Sequence, residues 1–141
     1  MLVTVSRALA AESDNPETFE YSALMPTKEA QSQVREFQKA VATRSCFEVA
    51  ALTRFPLRMN YDGKTKWISN RTAFCRYFPV LFDETRSEIV AKTLFKDMPA
   101  GYRGLMFGRG DFWLQPVCPD DPVENRCPQT DLRLRLTVAN L

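Results

Sequence analysis

Apolar residues recur with helical spacing in the stretch that follows Pro26. They fall on one stripe, and charged residues occupy the other sides. The stripe consists of Ala30, Val34, Phe37 and Val41. We predict an amphipathic helix here, with Thr27 as its cap. Ser45 and Glu48 stand in the S-x-x-E order of a capping box, which predicts a short second helix through Leu52.

The next segment predicts a β-hairpin over residues 55–68. Asp62 and Gly63 are a strong two-residue turn signal, because both positions of that turn favour a positive φ. The turn sets a register that pairs Tyr61 with Lys64, Met59 with Lys66, and Arg58 with Trp67. Alternation then predicts an apolar face with Leu57, Met59 and Ile68, and a polar face with Arg58, Asn60, Thr65 and Trp67.

Two further helices and three strands complete the pattern. Ser69 or Asn70 can cap a helix that buries the apolar residues between Phe74 and Phe82. Thr85 and Glu88 repeat the capping-box form and open another helix. Strands are predicted over residues 102–107, 111–118 and 132–139, and the last of them alternates strictly between apolar and other residues.

This order of elements predicts an α+β domain over residues 27–141, with helices packed on one face of a curved antiparallel sheet. Residues 1–26 are interpreted as a signal-peptide remnant and a flexible lead-in, because Ala8 and Ala10 fit the small-residue pattern that signal peptidase requires. An ordinary apolar N-terminal segment is the alternative. No apolar run reaches the length of about eighteen residues that would predict a membrane span.

Composition narrows the classes of function. The chain has 141 residues, of which 45% are hydrophobic and 26% charged, as in an ordinary globular domain. Its net charge of +2 argues against a nucleic-acid binder. It contains no histidine, which removes Ser/His and Cys/His nucleophile pairs and histidine-containing zinc sites. No metal, cofactor or catalytic residue is therefore predicted.

Four cysteines favour an oxidising compartment, periplasmic or secreted. Cys118 and Cys127 bracket a polar, proline-rich stretch, and we predict that they form a disulfide closing a loop between two strands. Two free thiols are the alternative. Cys46 and Cys75 lie in helical patterns, where each is either a buried small side chain or half of a second disulfide. Four cysteines allow three pairings, so the sequence leaves this one open.

The layout resembles the nuclear transport factor 2-like superfamily, a cone-shaped α+β fold also called cystatin-like. Three stretches, residues 55–63, 74–82 and 104–113, are similar to small secreted proteins of Gram-negative bacteria. The likeness covers residues 28–141. It implies a sheet that curls around a pocket closed by helices, in a superfamily whose members range from isomerases and dehydratases to binding or inhibitory domains. The fold alone does not decide among these functions.

The charge distribution suggests a binding surface. Residues 54–113 carry eleven basic and six acidic side chains, a net +5, while both flanking segments are slightly acidic. Arginine and tryptophan often carry the energy of protein interfaces. The candidate binding residues are Arg58, Trp67, Arg71, Arg76, Arg103 and Arg109, with Arg86 nearby in sequence. A solvated arginine-rich surface is the alternative interpretation.

A second set of residues would line the pocket that the resemblance implies. These residues are Tyr61, Tyr102, Asp111 and Trp113. Asp111 would serve there as a general base if an aromatic pocket desolvated its carboxylate, and a solvated turn carboxylate is the alternative.

We therefore expect a non-catalytic exported domain that binds another protein, as an inhibitor or immunity-type protein would. The alternative is a pocket protein for a small apolar ligand, or an acid–base isomerase or dehydratase. The sequence leaves homodimerisation open and predicts no nucleic-acid partner.

Overall fold

The structure is a computed structural model that describes residues 25–101, 104–121 and 123–141. The predicted signal-peptide remnant lies outside these residues. Of the predicted lead-in, Met25 is described and is 1% exposed within the hydrophobic core, and Pro26 is the N-cap of the first helix. No helix in the described ranges is long and apolar enough to cross a membrane.

In the described part of the chain, four α-helices form where the stripes and capping signals predict them. Their bounds are α1 Thr27–Ala42, α2 Cys46–Ala51, α3 Arg71–Leu81 and α4 Glu84–Lys92. The Ser45 side chain accepts a hydrogen bond from the Glu48 backbone N–H, and Asn70 caps α3 in the same way.

Two of the predicted caps are wrong. Thr27 is the first helical residue of α1, and the N-cap is Pro26, which supplies no side-chain hydrogen bond. The last helix begins at Glu84, earlier than the Thr85 signal predicts, because the Asp83 carboxylate accepts a hydrogen bond from the Arg86 N–H at 2.8 Å. The same carboxylate pairs with the Arg86 guanidinium at 2.8 Å.

Six strands form one sheet in the order β2-β1-β6-β5-β4-β3. Their bounds are β1 Thr53–Tyr61, β2 Lys64–Ile68, β3 Ala100–Gly101, β4 Gly104–Phe107, β5 Phe112–Val117 and β6 Arg133–Asn140. The hairpin register predicted for β1 and β2 is confirmed at all three pairs. The expectation of an antiparallel sheet is wrong at one place, because β1 and β6 run parallel.

The helices pack on one face of the sheet through aromatic side chains. Phe82, which caps the C-terminal end of α3, stacks on Phe112 of β5 with ring centroids 4.6 Å apart, and Phe37 of α1 stacks on Phe107 of β4 at 5.7 Å. Leu57, Met59 and Ile68 are buried on this same side, as alternation predicts. The α+β class is therefore confirmed, with four helices on a mixed and mostly antiparallel sheet.

Both disulfides are present. Cys118 and Cys127 close the loop between β5 and β6, which confirms the predicted pair. Cys46 and Cys75 join α2 to α3, which settles the pairing that the sequence left open. Such bonds are typical of proteins that work in oxidising, exported environments.

Candidate binding face of the sheet

The four described helices pack on one side of the sheet, and we call the opposite side the open face. Strand residues alternate between the two sides, so the open face presents the residues between the buried ones. Arg58 and Trp67 are exposed there, and the Trp67 side chain is 57% exposed. This placement matches the polar face predicted for the hairpin.

The strand registers align five side chains in a row that crosses the open face, which we call the cross-sheet row. Met106 on β4 pairs with Trp113 on β5, and Trp113 pairs with Val138 on β6. Val138 pairs with Arg58 on β1, and Arg58 pairs with Trp67 on β2. A single guanidinium therefore lies among apolar and aromatic side chains.

A cavity of about 510 Å³ opens beside the cross-sheet row. Its lining residues are Arg54, Pro56, Arg58, Trp67, Gln115, Thr137 and Val138. A smaller cavity of about 160 Å³ lies next to it, lined by Arg54, Phe55, Val117, Cys118, Pro119 and Arg135. Both cavities are lined by Arg54, so they are neighbours, and we call the two together the groove, which extends from Trp67 to Cys118 of the disulfide loop.

An irregular register creates room for this groove. Thr53 pairs with Leu136, and the next pair joins Arg58 to Val138. Four residues of β1, 54–57, therefore stand opposite the single residue Thr137. Thr137 donates its hydroxyl hydrogen to Gln115 Oε1, which fixes the floor of the larger cavity. Bulges of this kind bend a strand and redirect its side chains.

The open face carries positive charge. The six strands, over their described residues, contain no aspartate or glutamate, and they contain the basic residues Arg54, Arg58, Lys64, Lys66, Arg133 and Arg135. Lys66 pairs with Met59 on the helix-covered side, and its Nζ lies 5.4 Å from the Tyr77 ring centroid. Lys64 pairs with Tyr61 on that side too. Arg54, Arg58 and Arg135 line the two cavities of the open face, whereas Arg133 lines a third cavity with Glu29 of α1.

The Arg135 guanidinium is partly buried. Burial lowers the pKa of its guanidinium below the usual range, and the neighbouring Arg133 lowers it further, while Glu36 acts in the opposite direction. Its Nη1 donates to the Leu134 carbonyl at 3.0 Å. The groove thus holds a partly desolvated cation at the end nearest the disulfide loop.

The predicted binding arginines do not form one surface. Arg58 and Trp67 are adjacent on the open face, whereas Arg71 and Arg76 lie on α3 in the helix layer. The Arg71 guanidinium lies 5.4 Å from the Phe47 ring centroid. Arg109 lies in the turn between β4 and β5. Arg86 is paired with Asp83, and Arg103 is outside the described residues.

The predicted pocket residues are also separated. Tyr61 lies on the side of β1 that the helices cover, and Trp113 lies on the open face. The Asp111 carboxylate accepts a hydrogen bond from the Arg109 backbone N–H at 3.0 Å, so it stabilises the β4–β5 turn. Tyr102 falls outside the described residues.

Sequence reasoning missed the residues that β6 and β5 bring to the groove. Val138 and Thr137 reach Arg58 through the parallel pairing of β1 with β6, and Gln115 comes from the neighbouring β5. The alternation of β6 was a usable signal for which residues point away from the core. It contained no indication of which strand would lie beside it.

No family model, curated protein or solved structure matches this chain. Within the described residues, no group of three or more histidine, cysteine, aspartate or glutamate side chains is arranged to hold a metal ion. The function of this chain therefore has to be inferred from its own residues.

Proposed function

We propose that this chain is a non-catalytic binding domain that contacts a partner protein through its open face, as an inhibitor or immunity-type protein would. The observation that carries the proposal is the exposed Arg58–Trp67 pair beside a cavity of about 510 Å³. Hot spots of protein interfaces are enriched in these two residue types, and they favour positions next to pockets.

Two features support binding over catalysis. The carboxylate of Asp111 already accepts a hydrogen bond from the turn backbone. The helix–sheet interface, where the superfamily resemblance would place a substrate pocket, contains the contacting rings of Phe37, Phe82, Phe107 and Phe112. The packing of helices on one side of the sheet supports membership of the nuclear transport factor 2-like superfamily, which is part of this proposal.

The proposal places the protein in the periplasm or among secreted proteins. Both disulfides join segments distant enough in sequence to stabilise the fold, with separations of 29 and 9 residues. Such bonds persist where the environment is oxidising. In native material, all four cysteines should resist alkylation until a reductant is added, and mass spectrometry would count the labelled thiols.

Affinity capture from an extract of exported proteins tests the binding role. The test variant is Arg58→Ala combined with Trp67→Ala. The chain offers a matched control on the helix layer, Arg71→Ala combined with Phe47→Ala, which removes another exposed arginine–aromatic pair. We expect the wild type and the control to capture the same partner in equal amounts. The open-face variant should capture at most about a tenth of that amount.

Quantitative mass spectrometry of the captured proteins would supply the measurement. Equal recovery of every partner by both variants would contradict the proposal. Loss of the partner from the helix-layer variant alone would place the binding surface on α2 and α3 instead. Thermal unfolding of each variant would confirm that it is folded, since Arg58, Trp67, Arg71 and Phe47 are all exposed.

A further inference from the structure

The groove on the open face has a chemistry that limits what it can hold. Arg58 and Arg54 line its larger cavity, and Arg54 and Arg135 line its smaller one. Arg133 lies two residues before Arg135 on the same strand. A guanidinium therefore recurs along the whole groove, and the indole of Trp67 forms the wall at one end.

Among these arginines, the charge of Arg58 is not neutralised by any carboxylate of the described residues. Three ion pairs join described residues, and all of them lie outside the sheet, at Arg86, Lys92 and Arg126. In the same ranges, Arg58 makes no ion pair with a carboxylate. Burial lowers the pKa of Arg135 although Glu36 acts to raise it, and an anion in the smaller cavity would act in the same direction as Glu36.

We propose that the groove takes an acidic segment of the partner polypeptide, with carboxylates on its arginines and an apolar side chain against Trp67. This inference rests on the proposed function and adds the chemistry of the partner. Guanidinium groups bind carboxylates in a bidentate geometry, which gives orientation as well as attraction. An indole face accepts an apolar neighbour.

The same observations argue against a second copy of this chain as the occupant. Two open faces in contact would bring together two sets of three arginines, Arg54, Arg58 and Arg135, with no carboxylate in the described strands to compensate. Like charges brought face to face cost free energy. A partner that supplies the missing negative charge avoids this cost.

Intrinsic fluorescence offers a direct measurement, because the chain has two tryptophans and both lie on the open face. The probe is an oligoglutamate peptide with one central leucine, which adds no aromatic absorbance. The comparison peptide replaces every glutamate with glutamine. We expect the glutamate peptide to change the tryptophan emission, with an affinity that falls as salt is added, and the glutamine peptide to bind far more weakly.

Paired variants locate the binding site. Arg58→Gln should weaken binding of the glutamate peptide roughly fivefold to tenfold, because it removes a charge-assisted contact. Arg71→Gln removes the same charge from the helix layer and should change the affinity less than about twofold. Thermal unfolding would verify that both variants remain folded.

Three results would overturn this inference. They are equal affinity for the glutamate and glutamine peptides, equal weakening by Arg58→Gln and Arg71→Gln, and tighter binding to phosphatidylglycerol vesicles than to the glutamate peptide. The capture experiment distinguishes this failure from a failure of the proposed function. If a partner is captured only when Arg58 and Trp67 are present, but the protein does not bind the glutamate peptide, the proposed binding role stands. The inference that the partner contributes an acidic segment is then wrong.

Discussion

Gly104 is a position where the backbone decides which residue is tolerated. Its φ is +102°, and a Cβ added there would collide with the Leu114 carbonyl oxygen of the neighbouring strand. Gly104→Ala should therefore lower the free energy of unfolding by about 2 to 4 kcal/mol, from backbone strain and overpacking together. Gly101 provides the control, because its added Cβ would meet nothing within 4 Å. Urea denaturation giving equal stabilities for the two variants would contradict this reasoning.

Asn140 joins the open-face strands through a chain of side-chain hydrogen bonds. Its Nδ2 donates to the Gly110 carbonyl at 2.6 Å, and its Oδ1 accepts from Asn60 Nδ2 at 2.6 Å. Asn60 Oδ1 in turn accepts from the Thr65 hydroxyl at 2.8 Å. The chain therefore connects β2, β1 and β6 to the turn that precedes β5.

We expect Asn140→Ala to cost about 1 to 3 kcal/mol of stability, because it breaks two bonds and leaves partners unpaired. Thr65→Ala removes one exposed bond at the end of the chain and should cost less than about 1 kcal/mol. Chemical denaturation of both variants is the measurement. A loss at Thr65 as large as that at Asn140 would show that the chain of bonds does not act as described.

At the scale of elements, the two disulfides constrain unequal lengths of chain. Cys46 and Cys75 are separated by 29 residues, and Cys118 and Cys127 by 9. In the chain-entropy account, these loops correspond to about 3.5 and 2.5 kcal/mol of stabilisation, respectively. Replacing Cys46 and Cys75 with serine should thus destabilise the protein more than replacing Cys118 and Cys127. The opposite order of urea midpoints, at equal slope, would contradict the entropic account.

The sequence predicted those elements whose signals are local. The turn at Asp62 and Gly63 determined the whole β1–β2 register, because a two-residue turn leaves no freedom in the pairing that follows. The helices were predicted from their apolar stripes, which are also local signals because their residues are close together in the sequence. At the start of α4, two capping signals compete. The Asp83 carboxylate caps the helix, so the helix begins before Thr85, the residue that the capping-box pattern predicted as the cap.

The groove could not be predicted, because its parts meet only through distant pairing. Arg58 and Val138 are neighbours through parallel strands that are far apart in the chain, and no turn specifies their register. The bulge opposite Thr137 depends on that same contact. The sequence therefore predicted the Arg58–Trp67 pair, which one hairpin contains. It also grouped Arg71 and Arg76 with that pair, although the fold places them on a helix in the other layer.

At the scale of the whole molecule, a net charge of +2 hides an uneven distribution. The described strands carry no carboxylates, so the acidic residues of the described ranges lie in helices, turns and loops. This separation gives the open face an excess of positive charge, which a surface with evenly mixed charges would not have. Its consequence for self-association can be measured.

Repulsion between arginines should keep two open faces apart at low ionic strength, and added salt should relax it. Arg58→Glu places a carboxylate opposite the arginines of a second copy, so we expect this variant to associate more strongly than the wild type at low salt, with salt weakening the association. Arg71→Glu, on the helix layer, should leave the wild-type behaviour unchanged. Sedimentation velocity at two salt concentrations is the measurement. A wild-type dimer that forms at low salt and dissociates at high salt would show that attraction, and not repulsion, governs contact between copies.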